Sequence, residues 1–171
     1  PGTVTVSMGG VGRNIAHNMS LLELDVRLLT VFGDDGNAQK IAASCGELGI
    51  DISQSPVIPE GRTSTYLFIT DEKGDMALAV SDMELCSALT PALVAPILPR
   101  LQAGAVVVDA NLPPETIAYI CNHCPIPVYA DPVSTVKALK LQPVLHRLAA
   151  IKPNALEAEC LTGQRDPERA A

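Results

Sequence analysis

The chain has 171 residues and a formal net charge of −7, with 47% apolar residues, 3% aromatic and no tryptophan. That balance argues against a broad nucleic-acid surface, which needs clustered Lys and Arg, yet a small phosphate-bearing ligand needs only a few local donors. No apolar run approaches the roughly 18 residues of a membrane span, and this mixture of Ala, Val, Leu and Ile suits helices packed on a buried sheet.

In chain order, "TVTVS" (3–7) reads as a strand leading into the glycine turn "SMGGVGRNIAHNMSLLEL" (7–24). A helix is predicted from about Gly12 to Leu24, with Ile15, Met19 and Leu22 on its apolar stripe. "VRLLTVFG" (26–33) reads as a buried strand. "DDGNAQKIAASCGELG" (34–49) reads as a helix started by Asp34 or Asp35 and stopped near Gly46 or Gly49. "TSTYLFIT" and "MALAVS", joined by "DEKGD", read as a hairpin. From Leu89 the helix–strand rhythm returns. Helices are expected around 91–101, 114–122, 135–148 and from Ala155, with strands at "AVVVDAN", "PVYADPV" and "AAIKPN". This alternation predicts βαβ units and an α/β fold with a doubly covered, mainly parallel sheet.

The glycine turn does not fit the known nucleotide loops. Ile15 stands where a dinucleotide fingerprint wants its third glycine, and no Lys plus hydroxyl pair follows for a P-loop. What remains is a tight turn delivering Arg13 and Asn14 at a helix start. The five cysteines show no framework spacing and read as reduced cytosolic thiols. Cys121-Asn122-His123-Cys124 has the CxxC form, but no second ligand pair stands at zinc spacing, so buried thiols are the simpler reading. Ligand sites in open parallel sheets lie at the carboxyl ends of the strands. Three strands end in polar groups: Asp109 and Asn111, Asp131 and Ser134, Lys152 and Asn154. Each alone reads equally as a helix cap, whereas three on one edge favour a site.

"GGVGRNIA" (9–16), "VFGDDGNAQKI" (31–41), "LGID" (48–51) and "KPNALEAE" (152–159), in this order, resemble the ribokinase-like (PfkB) carbohydrate and nucleoside kinases. Within that family "GRNIA", "TSTYLFITDEKGDMALAVSDM" and "DPVSTVKA" are most similar to the members that phosphorylate the 5′-hydroxyl of pseudouridine. The resemblance implies a ribokinase-like fold with part of a β-lid, near 1–8 and 57–82, and ATP and Mg²⁺ as cofactors. It implies that Gly9, Gly10 and Asn14 hold ribose hydroxyls, and that Arg13 reads the base or ties down the loop; an exposed helix-start arginine is the plain alternative. Thr63, Ser64 and Asp82 would face the substrate, although Asp82 reads as readily as a turn-capping carboxylate. Asn111 and Asp131 would line the transfer cleft, Asn111 toward substrate and Asp131 toward phosphate. Lys137 and Lys152 would reach phosphate, with a solvated helix lysine the alternative for Lys137. Asn154 would stand near the nucleotide and Glu157 would hold Mg²⁺ through water.

The family's base aspartate, in a Gly-Ala-Gly-Asp-like motif, has no counterpart in these residues, so no catalytic residue is assigned here. The expectation is an internal piece of a kinase of roughly 300 residues, a common size for one α/β domain, unable to turn over alone. A small nucleoside or sugar substrate is expected, with no nucleic acid, no membrane, a cytoplasmic location and a homodimer through the lid strands. The competing readings are another PfkB sugar or nucleoside kinase, a non-catalytic nucleoside-binding fragment, and a nicotinamide-dependent oxidoreductase.

Overall fold

The computed structural model describes residues 2–165. The chain divides into two units, Pro1–Ala88 and Leu89–Ala171, and each has its own elements.

In the first unit, α1 (Val11–Leu21) follows Gly10, whose φ of 96° is open to glycine but costly for any other residue. Ala16 and Met19 of this helix pack with Val26, Cys45 and Ile50 in a core that Leu28, Ile41, Leu48 and Ile52 complete. β1 (Phe32–Gly33) is followed by α2 (Gly36–Glu47), started by the Asp35 carboxylate on the Ala38 N–H at 2.8 Å. The helix ends in a Schellman motif at Gly49: the Gly49 and Ile50 N–H groups return to the Gly46 and Cys45 carbonyls.

The run 26–33 forms less ladder than its composition predicts. Only β1 pairs, in parallel with β2 (Val57–Ile58), besides one bridge between Arg27 and Asp51. Between them the Ser55 hydroxyl substitutes for a strand neighbour. It accepts from the Thr30 N–H at 3.0 Å and donates to the Leu28 carbonyl at 2.8 Å. "TVTVS" forms no strand at all: residues 2–10 carry no regular structure, and Val4 and Val6 stay exposed because no described segment pairs with them. The lid element expected near 1–8 begins at Pro1, outside the described residues.

The hairpin forms as its alternation predicts. β3 (Thr65–Thr70) and β4 (Met76–Asp82) pair antiparallel, with a register shift after Ile69. The Asp71 carboxylate closes the turn by accepting from the Lys73 and Asp75 N–H groups. Leu67 faces Val80 and Ile69 faces Leu78 across the ladder, which places these four on one side of the ribbon; all are exposed.

In the second unit, α3 (Pro91–Val94) and a 3₁₀ turn (Leu98–Arg100) replace the single helix expected over 91–101. Pro96 and Pro99 lack the N–H that an α-helix interior requires. β5 (Val106–Asp109), β6 (Val128–Asp131) and β7 (Ala150–Ile151) form a parallel sheet in that order. α4 (Pro114–His123) connects β5 to β6. α5 (Thr135–Ala138) gives way to a 3₁₀ turn (Gln142–Arg147) containing Pro143, again shortening the helix predicted to 148. Burial alternates along the strands. Val108, Val128 and Ala130 are buried while Val107 and Tyr129, on the opposite face, are each 41% exposed. α6 (Ala155–Thr162) closes the described chain.

Candidate active site

The polar groups of the first unit gather at the amino end of α1 and at the stem of the hairpin. Gly9 is exposed, and a Cβ there would meet nothing within 4 Å, so its backbone is open to a ligand. Asn14 is exposed on the first turn of α1. Arg13 turns back instead. Its Nη1 donates to the Met8 carbonyl at 3.1 Å and its Nη2 to the Ser44 hydroxyl at 2.9 Å, so it ties the glycine loop to α2. Its Nε is buried with no partner.

Thr63 does not face outward as the sequence suggests. It is 7% exposed, and its hydroxyl donates to Asp35 Oδ1 at 2.8 Å while accepting from the Gly33 N–H at 3.2 Å. The cause is the close approach of the stem to β1. A Cβ on Gly33 would sit 2.5 Å from both the Gly61 carbonyl oxygen and the Thr63 nitrogen, leaving no room for another residue. Asp35 also accepts the Thr63 N–H at 2.7 Å. One carboxylate thereby caps α2 and anchors the hairpin stem, and the N–H groups of Ala38 and Thr63 hold it below the usual carboxylate range. Sequence reading identified Asp35 only as a helix start, because its partner Thr63 lies 28 residues away and no periodicity links the two. Ser64 lies 3.6 Å from the Cys86 sulfur, and Asp82 makes a solvent-exposed ion pair with Arg62 at 3.7 Å.

The second unit brings its predicted residues to one sheet edge. β5, β6 and β7 run parallel, so the segments after Asp109, Asp131 and Ile151 leave from the same side. Asp109 and Asp131 are register partners. Each closes an Asx turn: Asp109 Oδ1 accepts the Asn111 N–H at 2.8 Å, and Asp131 Oδ1 accepts the Val133 N–H at 2.9 Å. After β6 the chain makes a tight γ-turn, with the Ser134 N–H on the Pro132 carbonyl at 2.7 Å and Val133 at φ 67°. A β-branched residue at positive φ is strained. Ser134 then caps α5 through the Lys137 N–H. Lys137 reaches across to the β5 loop, its Nζ donating to Asn111 Oδ1 at 2.6 Å. Lys140 holds the same loop through the carbonyls of Ala110 and Leu112, each at 3.0 Å.

After β7, Lys152 is exposed and Asn154 caps α6. Asn154 and Glu157 form a reciprocal capping box: the Glu157 N–H donates to Asn154 Oδ1, and the Asn154 N–H to Glu157 Oε2, both at 2.9 Å. Glu157 is 6% exposed and keeps Oε1 for another donor or ion. Among the described residues no group of three or more His, Cys, Asp and Glu is placed to hold a metal. A single carboxylate such as Glu157 fits a Mg²⁺ held through its own water shell; a cage of protein ligands does not form among the described residues. Burial pushes the Cys121 thiol up, and Cys124 adds to the effect.

The sequence pattern of the pfkB family carbohydrate kinases matches residues 1–171. The pseudouridine kinase of Escherichia coli strain K12 is 36% identical over 165 residues, covering 95% of this chain and 53% of that protein. The uncharacterized sugar kinase YeiI of the same strain is 39% identical over 166 residues, covering 96% of this chain and 46% of that protein. A solved carbohydrate kinase from Agrobacterium tumefaciens superposes with a TM-score of 0.83 at 30% identity, over 95% of this chain and 54% of that one. The chain thus spans about half the length of the curated relatives it matches. Among the described residues no helix is long and apolar enough to cross a membrane.

Proposed function

This chain belongs to the pfkB family of carbohydrate kinases, and from that premise we propose that it forms part of an ATP-dependent kinase acting on the 5′-hydroxyl of pseudouridine. The observation that carries the reading is the common carboxyl edge of β5, β6 and β7, where Asn111, Asp131 with Lys137, and Lys152 through Glu157 follow consecutive strand ends. Phosphoryl transfer needs positioned donors and charge neutralisation more than covalent protein chemistry. Lys137 and Lys152 supply cations to that edge, and Asn111 supplies an amide. Glu157 is the carboxylate that would hold hydrated Mg²⁺, which when bound neutralises charge on the nucleotide phosphates. In the first unit, Gly9, Gly10 and Asn14 offer open backbone and an exposed amide to sugar hydroxyls. Ser64 and Asp82 belong to the hairpin side of the substrate. Arg13 and Thr63 act on it indirectly, by fixing the glycine loop and the hairpin stem.

Pseudouridine is favoured by "GRNIA" and "DPVSTVKA" and by the similarity to the E. coli pseudouridine kinase. A sugar substrate is the second reading, because the match to YeiI is of the same strength. The same reading assigns the protein to the cytoplasm and pairs two copies through the hairpin. The test is a phosphotransfer assay on the complete protein with ATP and Mg²⁺, comparing pseudouridine with uridine and ribose. Preferred turnover of pseudouridine supports the proposal. Turnover of ribose alone transfers the assignment to a sugar kinase, and saturable nucleoside binding without turnover makes the protein a binding module.

A further inference from the structure

The Lys137–Asn111 contact has a chemical consequence that does not depend on which nucleoside is bound. A lysine ammonium has three donors and no acceptor, so the group 2.6 Å from it must be the amide oxygen of Asn111. The amide is thereby held in one of its two orientations. Its NH₂ faces away from Lys137 and donates to no described protein group. Freed from Lys137, the amide could turn and present its oxygen instead.

The rest of the edge is built to hold this arrangement. The twin Asx turns fix the start of both loops, at Asp109 and Asp131. The strained γ-turn at Val133 then redirects the chain so that Ser134 caps α5 and Lys137 leaves the helix toward the neighbouring loop. Strain of this kind persists only where the surroundings impose it, and it collects at functional segments. Lys140 holds the neighbouring loop by a separate route, through two of its backbone carbonyls. Lys137, by contrast, contacts a side chain of that loop, the Asn111 amide.

We infer that Lys137 is a positioning residue that fixes Asn111 as an obligate hydrogen-bond donor to a phosphoryl oxygen, the γ-turn at Val133 setting its reach. The inference rests on the kinase reading and deepens it, since it names the chemistry that Asn111 recognises: an oxygen acceptor such as a phosphoryl oxygen, not the hydrogen of a hydroxyl.

The experiment is a titration of the full chain, ¹⁵N-labelled at asparagine, with inorganic pyrophosphate, following the side-chain NH₂ signals of Asn111. In the parent these signals shift on saturation. K137M weakens pyrophosphate by about tenfold, the size of one charge-assisted hydrogen bond, and the Asn111 signals no longer respond. K137R keeps a donor at this position and restores the shift, with affinity within about threefold of the parent. N111A retains the ammonium yet loses as much affinity as K137M. Pyrophosphate that fails to bind the parent, binds without moving Asn111, or binds N111A as tightly as the parent overturns the inference. Pseudouridine turnover by the complete protein with a silent Asn111 would sink only this inference; loss of turnover on every nucleoside and sugar would sink the kinase reading itself.

Discussion

Val133 and Asp35 show how single residues carry constraints that composition hides. Holding a non-glycine residue at positive φ costs on the order of 1–3 kcal/mol, and glycine at that position returns about 0.5–1 kcal/mol of it as chain entropy. V133G is therefore expected to raise the unfolding free energy by about 1 kcal/mol, measured by urea denaturation, while loosening the reach of Lys137. A loss of stability would mean that Val133 packing outweighs its strain. Asp35 makes a pH prediction. Its folded-state carboxyl lies below the ordinary 3.8, so its contribution is fully present at neutral pH. That contribution is lost as the pH falls past 3.8 and through the lower folded-state value. Melting temperatures recorded from about pH 6 down to pH 3 should fall more steeply in the parent than in D35N. Equal slopes would remove Asp35 as the acid-sensitive anchor. Neither constraint was legible in the sequence. "DPVS" announces a turn but not its hand, and Asp35 reads as a cap without disclosing Thr63.

At the scale of elements the sequence was most informative where local chemistry decides. The start of α2 is Asp35, one of two aspartates the sequence offered, its stop is Gly49, one of two glycines, Asn154 caps α6, and the hairpin turns within 71–75, since each needs only neighbours within a few residues. Elements were shorter than the apolar pattern suggests, the helices through prolines inside them and the strand through a distant side chain. Pro96, Pro99 and Pro143 cut two predicted helices into α and 3₁₀ pieces, and Ser55 replaced a strand neighbour for residues 28–30. The capping box allows structure and metal binding to be separated. Glutamine serves the box as well as glutamate, so E157Q should keep stability within about 0.5 kcal/mol of the parent, whereas N154A should lose about 1 kcal/mol. In the complete protein E157Q should nevertheless weaken the Mg²⁺ dependence of nucleotide binding. Unchanged Mg²⁺ dependence in E157Q would confine Glu157 to its helix-start role.

Across the whole molecule the ordering of elements was readable because helix and strand periods alternate over most of the chain, and the family pattern spans all of it. The course of 2–10 was not, because a strand exists only with a neighbour and local composition cannot supply one. The same dependence on a neighbour governs the hairpin. Leu67, Ile69, Leu78 and Val80 form an exposed apolar side on a two-stranded ribbon, an arrangement that is marginal in water by itself. The double variant I69K/L78K is expected to abolish concentration-dependent self-association in sedimentation velocity without changing the secondary structure of 89–165. Association that survives both lysines would place the pairing surface elsewhere. Because β3 and β4 form a sheet of two strands, with no third strand on either edge among the described residues, their amide protons have a single line of defence. Deuterium should enter residues 65–70 and 76–82 of a dilute sample well before it enters Val128–Asp131, which is paired on both flanks, and that gap should narrow as the protein is concentrated.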